Sequence, residues 1–100
     1  MEIRNDSITF GSSEGSGPRS NFRDVTFTTA PRQASAVLTG FSVSFSPSDG
    51  DHHLGNLDIR LSTTITGTTV RVNVTFGLRD WSGTWDDKYE GRIFFSIIAE

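Results

Sequence analysis

Residues 57–78 decide the fold of this chain, and they have the sequence LDIRLSTTITGTTVRVNVTFGL. Two apolar series run through this segment with a spacing of two. The first is Leu57, Ile59, Leu61, Thr63 and Ile65, and the second is Val70, Val72, Val74, Phe76 and Leu78. Because a period of two is that of a half-buried strand, each series predicts one strand. A short turn that contains Gly67 separates them, so the segment predicts a β-hairpin.

Further extended segments lie on both sides of the hairpin, and no segment has the 3.6-residue period of a helix. Alternation predicts strands over residues 21–29 and 35–45, with either a bulge or a close backbone approach at Gly40. Residues 2–10 are expected to form an edge strand and residues 11–20 a flexible loop. Residues 92–98 are apolar on both faces, which is typical of a strand covered on both sides. The chain is therefore expected to be an all-β, antiparallel β-sandwich of six or seven strands, with an N-terminal part (1–20) and a sandwich (21–100) in a single domain.

Composition excludes several classes of function. The net charge of −3 disfavours a nucleic-acid surface. No apolar run approaches the roughly 20 residues of a membrane span, so we expect no membrane insertion. We see no signal peptide, and expect an extracellular protein or part of a particle. The absence of cysteine excludes disulfides and thiolate metal sites.

Residues 77–91 form the most distinctive segment, because they contain both tryptophans, the tyrosine and the lysine. We predict a loop there, presented by the flanking strands, and loops on rigid scaffolds concentrate binding residues. Stacked rings can hold the C–H face of a sugar, while carboxylates and guanidinium groups bind its hydroxyls. The candidate ligand-binding residues of this loop are Arg79, Asp80, Trp81, Ser82, Trp85, Asp86 and Tyr89. The alternative is that the tryptophans cap the end of the sandwich.

Catalysis and metal binding have weaker support in the sequence. The two histidines, His52 and His53, are adjacent and point to opposite sides of an extended chain, and no nucleophile motif is present, so we expect no enzyme. A polar loop offers Asp49, Asp51 and His52 as candidate ligands for calcium, but it lacks a complete ligand set, so we expect no metal site. We expect a fold without cofactors.

Parts of the chain resemble the H-type lectin domain of snail agglutinins and discoidins. The resemblance covers residues 21–100 and rests on Val25-x-Phe27 with Ala30-Pro31, on the strand that carries Arg60 before Thr66-Gly67, and on the closing strand from Tyr89. It implies a six-stranded sandwich that binds galactose or N-acetylgalactosamine glycans. It also implies a trimer or a dimer of trimers with sites between protomers, where Asp58 or Arg60 faces a neighbour's aromatic loop. The family's Thr-Trp segment aligns either with Thr75-Phe76, which makes the aromatic loop an insertion, or with residues 81–84, which makes the strand longer.

Together these features predict a carbohydrate-binding, lectin-like module that is a homo-oligomer. A structural or receptor-binding domain of a viral or tail-fibre particle is one alternative, and a calcium-dependent binding sandwich is another. We expect other copies of the chain to cover Phe94 and Ile98 on the last strand. The alternative is that residues 2–10 fold over that face within one chain.

Overall fold

The computed structural model of the 100-residue chain describes residues 1–14, 17–46, 53–81 and 88–100, with the backbone alone for residues 12–14. Six strands are present in these residues. They are β1 (Glu2–Glu14), β2 (Arg19–Thr26), β3 (Ala34–Phe45), β4 (Leu54–Thr66), β5 (Thr69–Asp80) and β6 (Lys88–Ala99). They form two three-stranded antiparallel sheets, with the orders β1-β6-β3 and β2-β5-β4. The predicted all-β sandwich is confirmed.

The β4–β5 hairpin has the register that its alternation predicts. Thr66 pairs with Thr69, and the partners continue through Ile65 with Val70 as far as Leu57 with Leu78. Gly67 has a φ of 59°, a left-handed conformation that glycine adopts without steric cost. Near the other end, a side chain at Gly55 would collide with the backbone of Asp80, so the two strands meet closely there.

The central strands β5 and β6 carry the core. Their inward side chains are buried, among them Val70, Val72, Val74, Phe76, Ile93, Phe95 and Ile97. Full burial of each such side chain stabilises the fold by about 1.5–3 kcal/mol. Phe76 makes edge-to-face contacts with Phe10 and Tyr89, at centroid distances of 5.3 and 5.1 Å. The core thus joins β1 and β6 of one sheet to β5 of the other.

Several boundaries differ from the sequence expectations. β1 continues to Glu14 and β2 begins at Arg19, so much of the loop expected at residues 11–20 is strand. β2 ends at Thr26, yet Phe27 is still buried. β3 has a register shift between Leu38 and Gly40, and a side chain at Gly40 would meet no backbone, which favours the bulge over a close backbone approach.

The two apolar faces of the last strand have different surroundings. β6 lies at the centre of its sheet, and its inner residues are buried, whereas Phe94 on the outer face is 37% exposed. β1 lies beside β6, with Ile8 and Phe10 in the core and Ile3 exposed on the outer face. The idea that residues 2–10 fold over Phe94 and Ile98 is therefore wrong.

Candidate functional site

The candidate site lies at the end of the sandwich where β5 finishes and β4 begins, which we call the Trp81 end. β5 extends to Asp80, so the predicted aromatic loop is shorter than residues 77–91. Trp81 follows directly and is 75% exposed. Its backbone N–H donates to the carbonyl oxygen of His53 at 3.2 Å, which fixes the start of the turn against β4. A large exposed ring on a fixed backbone is a suitable stacking plate for an apolar ligand face.

The outer face of the β2-β5-β4 sheet brings three of the predicted residues together near this end. Asn56 pairs with Arg79, Asp58 with Gly77, and Arg60 with Thr75, so Asp58, Arg60 and Arg79 share one face. Arg60 Nε donates to Asp58 Oδ1 at 3.0 Å. The Arg60 side chain is largely exposed, whereas that of Asp58 is partly covered. This pair presents carboxylate oxygens and guanidinium N–H groups side by side, as recognition of vicinal hydroxyls requires.

Two other candidates belong to the interior. Asp80 is buried opposite Leu54 on the inner face. Tyr89 is completely buried, and its hydroxyl donates towards the carbonyl oxygens of Phe76 at 3.1 Å and Gly17 at 3.0 Å. The expectation that the Tyr89 ring contacts a ligand is therefore wrong. The ring is part of the core because β6 begins at Lys88, which places Tyr89 inside a strand rather than in a loop.

The remaining candidates lie outside the described residues. These are Ser82, Trp85 and Asp86 of the aromatic loop, and Asp49, Asp51 and His52 of the weak calcium set. Within the described part of the chain, no group of three or more His, Cys, Asp or Glu residues is arranged to hold a metal ion. The described residues also form no helix long and apolar enough to cross a membrane.

Sequence reasoning missed an apolar groove beside the Trp81 end. The groove has a volume of about 380 Å³ and lies between the edge strands β3 and β4 of the two sheets. Its lining is Phe41, Val43, Ser44, Phe45, Leu54, Leu57 and Leu78. Phe41 pairs with buried Ile93 and faces inward, yet it is 49% exposed, and Leu54 is 64% exposed. Alternation predicted which side of each strand is apolar, but it does not identify the strands at an open edge.

Comparisons of this chain with family models, with curated proteins and with solved structures find no match.

Proposed function

We propose that this chain is a glycan-binding module, without catalytic activity, that functions as a homo-oligomer. The observation that carries the proposal is the exposure of Trp81 at the end of β5, beside a sheet face that holds the Asp58–Arg60 pair. In the arrangement that the lectin resemblance implies, the Trp81 ring of one copy would cover the C–H face of a sugar, while Asp58, Arg60 and Arg79 of a neighbouring copy would bind its hydroxyls. Resemblance to H-type lectins favours galactose or N-acetylgalactosamine, and an extracellular or particle-associated setting.

The homo-oligomer is supported by the open side of the sandwich between β3 and β4, which we call the apolar seam. An inward-facing phenylalanine that is half exposed resembles a core cut in two, which is typical of obligate subunit contacts. β3 has no charged residue among its twelve, whereas an exposed edge strand is normally protected by charge or proline. We infer that a second copy of the chain covers this seam, because its residues belong to the core and need a partner that is always present.

The dimensions of the molecule leave room for a contact of standard size along this side. The molecule is 47 Å long and 20 by 18 Å across. A contact along its whole length would cover about 900 Å² per copy, close to the roughly 800 Å² per partner of a standard interface. The outer face with Phe94, Ile98 and Ile3 is a second apolar surface, suited to a smaller contact between copies. Two surfaces of unequal size would allow a trimer and a hexamer built from two trimers.

The test of the proposed function is a glycan array with the wild-type chain and with Trp81→Ala. We expect terminal galactose or N-acetylgalactosamine glycans to bind the wild type. Loss of the stacking ring should cost about 2 kcal/mol of binding free energy if Trp81 is a hot spot. The thermal unfolding of Trp81→Ala should be unchanged, because the ring contributes little to the core. If no glycan binds, the chain is a structural or assembly domain instead, and its exposed tryptophan anchors a protein contact.

A further inference from the structure

A second polar cluster with an aromatic ring lies on the outer face of the β2-β5-β4 sheet. We call it the Phe22 cluster, and it consists of Phe22, Asp24 and Arg71 with the threonines Thr64, Thr66 and Thr69. Asp24 pairs with Arg71 across β2 and β5, and Thr64 pairs with Arg71 across β4 and β5. Arg71 lies four residues along β5, about 13 Å, from Thr75, which pairs with Arg60. The cluster is therefore distinct from the Trp81 end, although both share one sheet face.

Arg71 is held in a single orientation by two contacts. Its Nε and NH2 groups donate to the two carboxylate oxygens of Asp24, at 2.9 and 3.1 Å. Its guanidinium carbon lies 3.8 Å from the centre of the Phe22 ring. The hydrogen bonds from Arg71 lower the pKa of Asp24 and raise that of Arg71. The pair therefore stays charged across the physiological range, and among the described residues the Arg71 Nη1 group has no hydrogen-bond partner.

A shallow hollow of about 370 Å³ adjoins this pair. Its lining is Asp24, Arg71, Thr64, Thr66 and Thr69, which supplies one carboxylate, one guanidinium and three hydroxyls. The hydroxyl of Thr64 accepts a hydrogen bond from Asn73 Nδ2 at 3.3 Å, so it too is oriented. Phe22 is 49% exposed and does not line the hollow itself, but its ring lies against the guanidinium group of Arg71, which does. Fixed donors and acceptors beside one apolar ring are the elements of a small polar-ligand site.

We propose that this hollow binds a saccharide unit through a pair of neighbouring hydroxyls. One hydroxyl donates to the Asp24 carboxylate, the next accepts from Arg71, and a C–H edge of the sugar lies against Phe22. The inference rests on the proposed function, because it extends glycan binding to a second site on the same chain. The two sites on one face would let a branched or extended glycan contact both, and linked sites raise the apparent affinity without new contacts.

The experiment is an NMR titration of the ¹⁵N-labelled chain with methyl α-D-galactopyranoside, whose ring carries neighbouring hydroxyls on one side. We expect the amides of Phe22 and Thr64 and the Arg71 Nε–H to shift with saturation. Asp24→Asn, which removes the charge from the acceptor, should weaken the binding affinity obtained from these shifts about tenfold. Phe22→Ala should also weaken it. Arg92→Lys is the matched control, because Arg92 lies exposed on the other sheet with a single hydrogen bond to Thr9, and it should change nothing.

The same titration separates this inference from the proposed function. Shifts confined to Trp81 and Arg60 would overturn the second site and leave the proposed function standing. Shifts confined to the Phe22 cluster would support the second site and place sugar binding away from the Trp81 end. A spectrum without shifts at either place would overturn both. If Asp24→Asn and Phe22→Ala bind the sugar at the Phe22 cluster with the same affinity as the wild type, the assigned contacts are wrong.

Discussion

The two long sides of this sandwich differ in their chemistry. On the β1–β2 side, which we call the polar seam, charged side chains bridge the two sheets. Arg23 Nε bonds Asp6 Oδ2 at 3.1 Å, Arg4 NH1 donates to the Thr26 carbonyl at 2.9 Å, and Arg19 NH1 donates to the Gly11 carbonyl at 2.8 Å. On the apolar seam, phenylalanine and leucine side chains face one another, with Thr63 Oγ1 donating to the Ala34 carbonyl near one end.

This difference indicates which side of the molecule faces water. Arginine covers apolar surface with its methylene groups while its charged head stays hydrated, so the polar seam is complete in a single copy. Arg4 and Arg19 lie over the rings of Phe27 and Tyr89, at 4.8 and 4.6 Å. Half-exposed Phe41 and Leu54 find no comparable cover among the described residues. The apolar seam is therefore the side on which we expect a neighbouring copy.

The largest effect is expected from Phe41→Glu. A carboxylate buried in the copy-to-copy contact without a partner costs several kcal/mol, so the oligomer should dissociate to a chain of 11.0 kDa. Light scattering would measure the mass. Phe22→Glu is the control, because Phe22 has the same exposed fraction but lies on the polar outer face. If both variants keep the wild-type mass, or if the wild type is itself a monomer at micromolar concentration, the apolar seam is not a subunit contact.

A smaller effect on assembly is expected from Phe94→Glu. Phe94 lies on the outer face of β6 and is 37% exposed, so it has less surface to bury in a contact than Phe41, which is 49% exposed. The substitution should weaken association by about 1–3 kcal/mol, or remove the largest species while the smaller oligomer survives. Sedimentation velocity over a concentration series would resolve the species. Complete dissociation by Phe94→Glu, with Phe41→Glu unchanged, would reverse the assignment of the two surfaces.

A substitution in the polar seam should lower the stability of the fold without changing the oligomeric state. Arg19→Lys removes the geometry in which NH1 and NH2 donate to the carbonyls of Gly11 and Tyr89. We expect the free energy of unfolding to fall by about 1–2 kcal/mol in urea, with no change in mass. For Arg92→Lys, on an exposed face, the free energy of unfolding should fall by less than about 0.5 kcal/mol. Dissociation of Arg19→Lys would show that the polar seam also contacts another copy.

The smallest effect concerns acid stability at the exposed pair on the outer face. Hydrogen bonds from Arg71 hold the pKa of Asp24 below its usual range. The stability that this pair contributes is present above the unfolded-state pKa of about 4, and it is lost as the pH falls through the lower folded-state pKa. Asp24→Asn should therefore lower the melting temperature slightly at neutral pH, and its difference from the wild type should shrink as the pH falls below about 4. A wider gap from the wild type at pH 2 than at pH 5 would contradict this sign.

The sequence allowed the strands to be predicted better than the site. Strict alternation over residues 57–78 defines both strands and their register, since a slip by one residue would expose every valine of β5. Tyr89 was misjudged because its polar, aromatic neighbours are typical of a loop, whereas β6 begins at Lys88 and turns the ring inward. The open seam was missed for another reason. Which strands lie at an edge depends on the order β1-β6-β3 and β2-β5-β4, which is set by long-range pairing rather than by local pattern.

The most direct test of a glycan site completed by a neighbouring copy is a calorimetric titration of Phe41→Glu with N-acetylgalactosamine, once its mass and circular dichroism show a folded monomer. Phe41 lines the groove rather than the Asp58–Arg60 face, so the substitution leaves those residues unchanged. We predict that the wild-type oligomer binds the sugar and that the monomer binds at least about tenfold more weakly. A folded monomer that binds with wild-type affinity would contradict the account, because the site would then be complete within one chain.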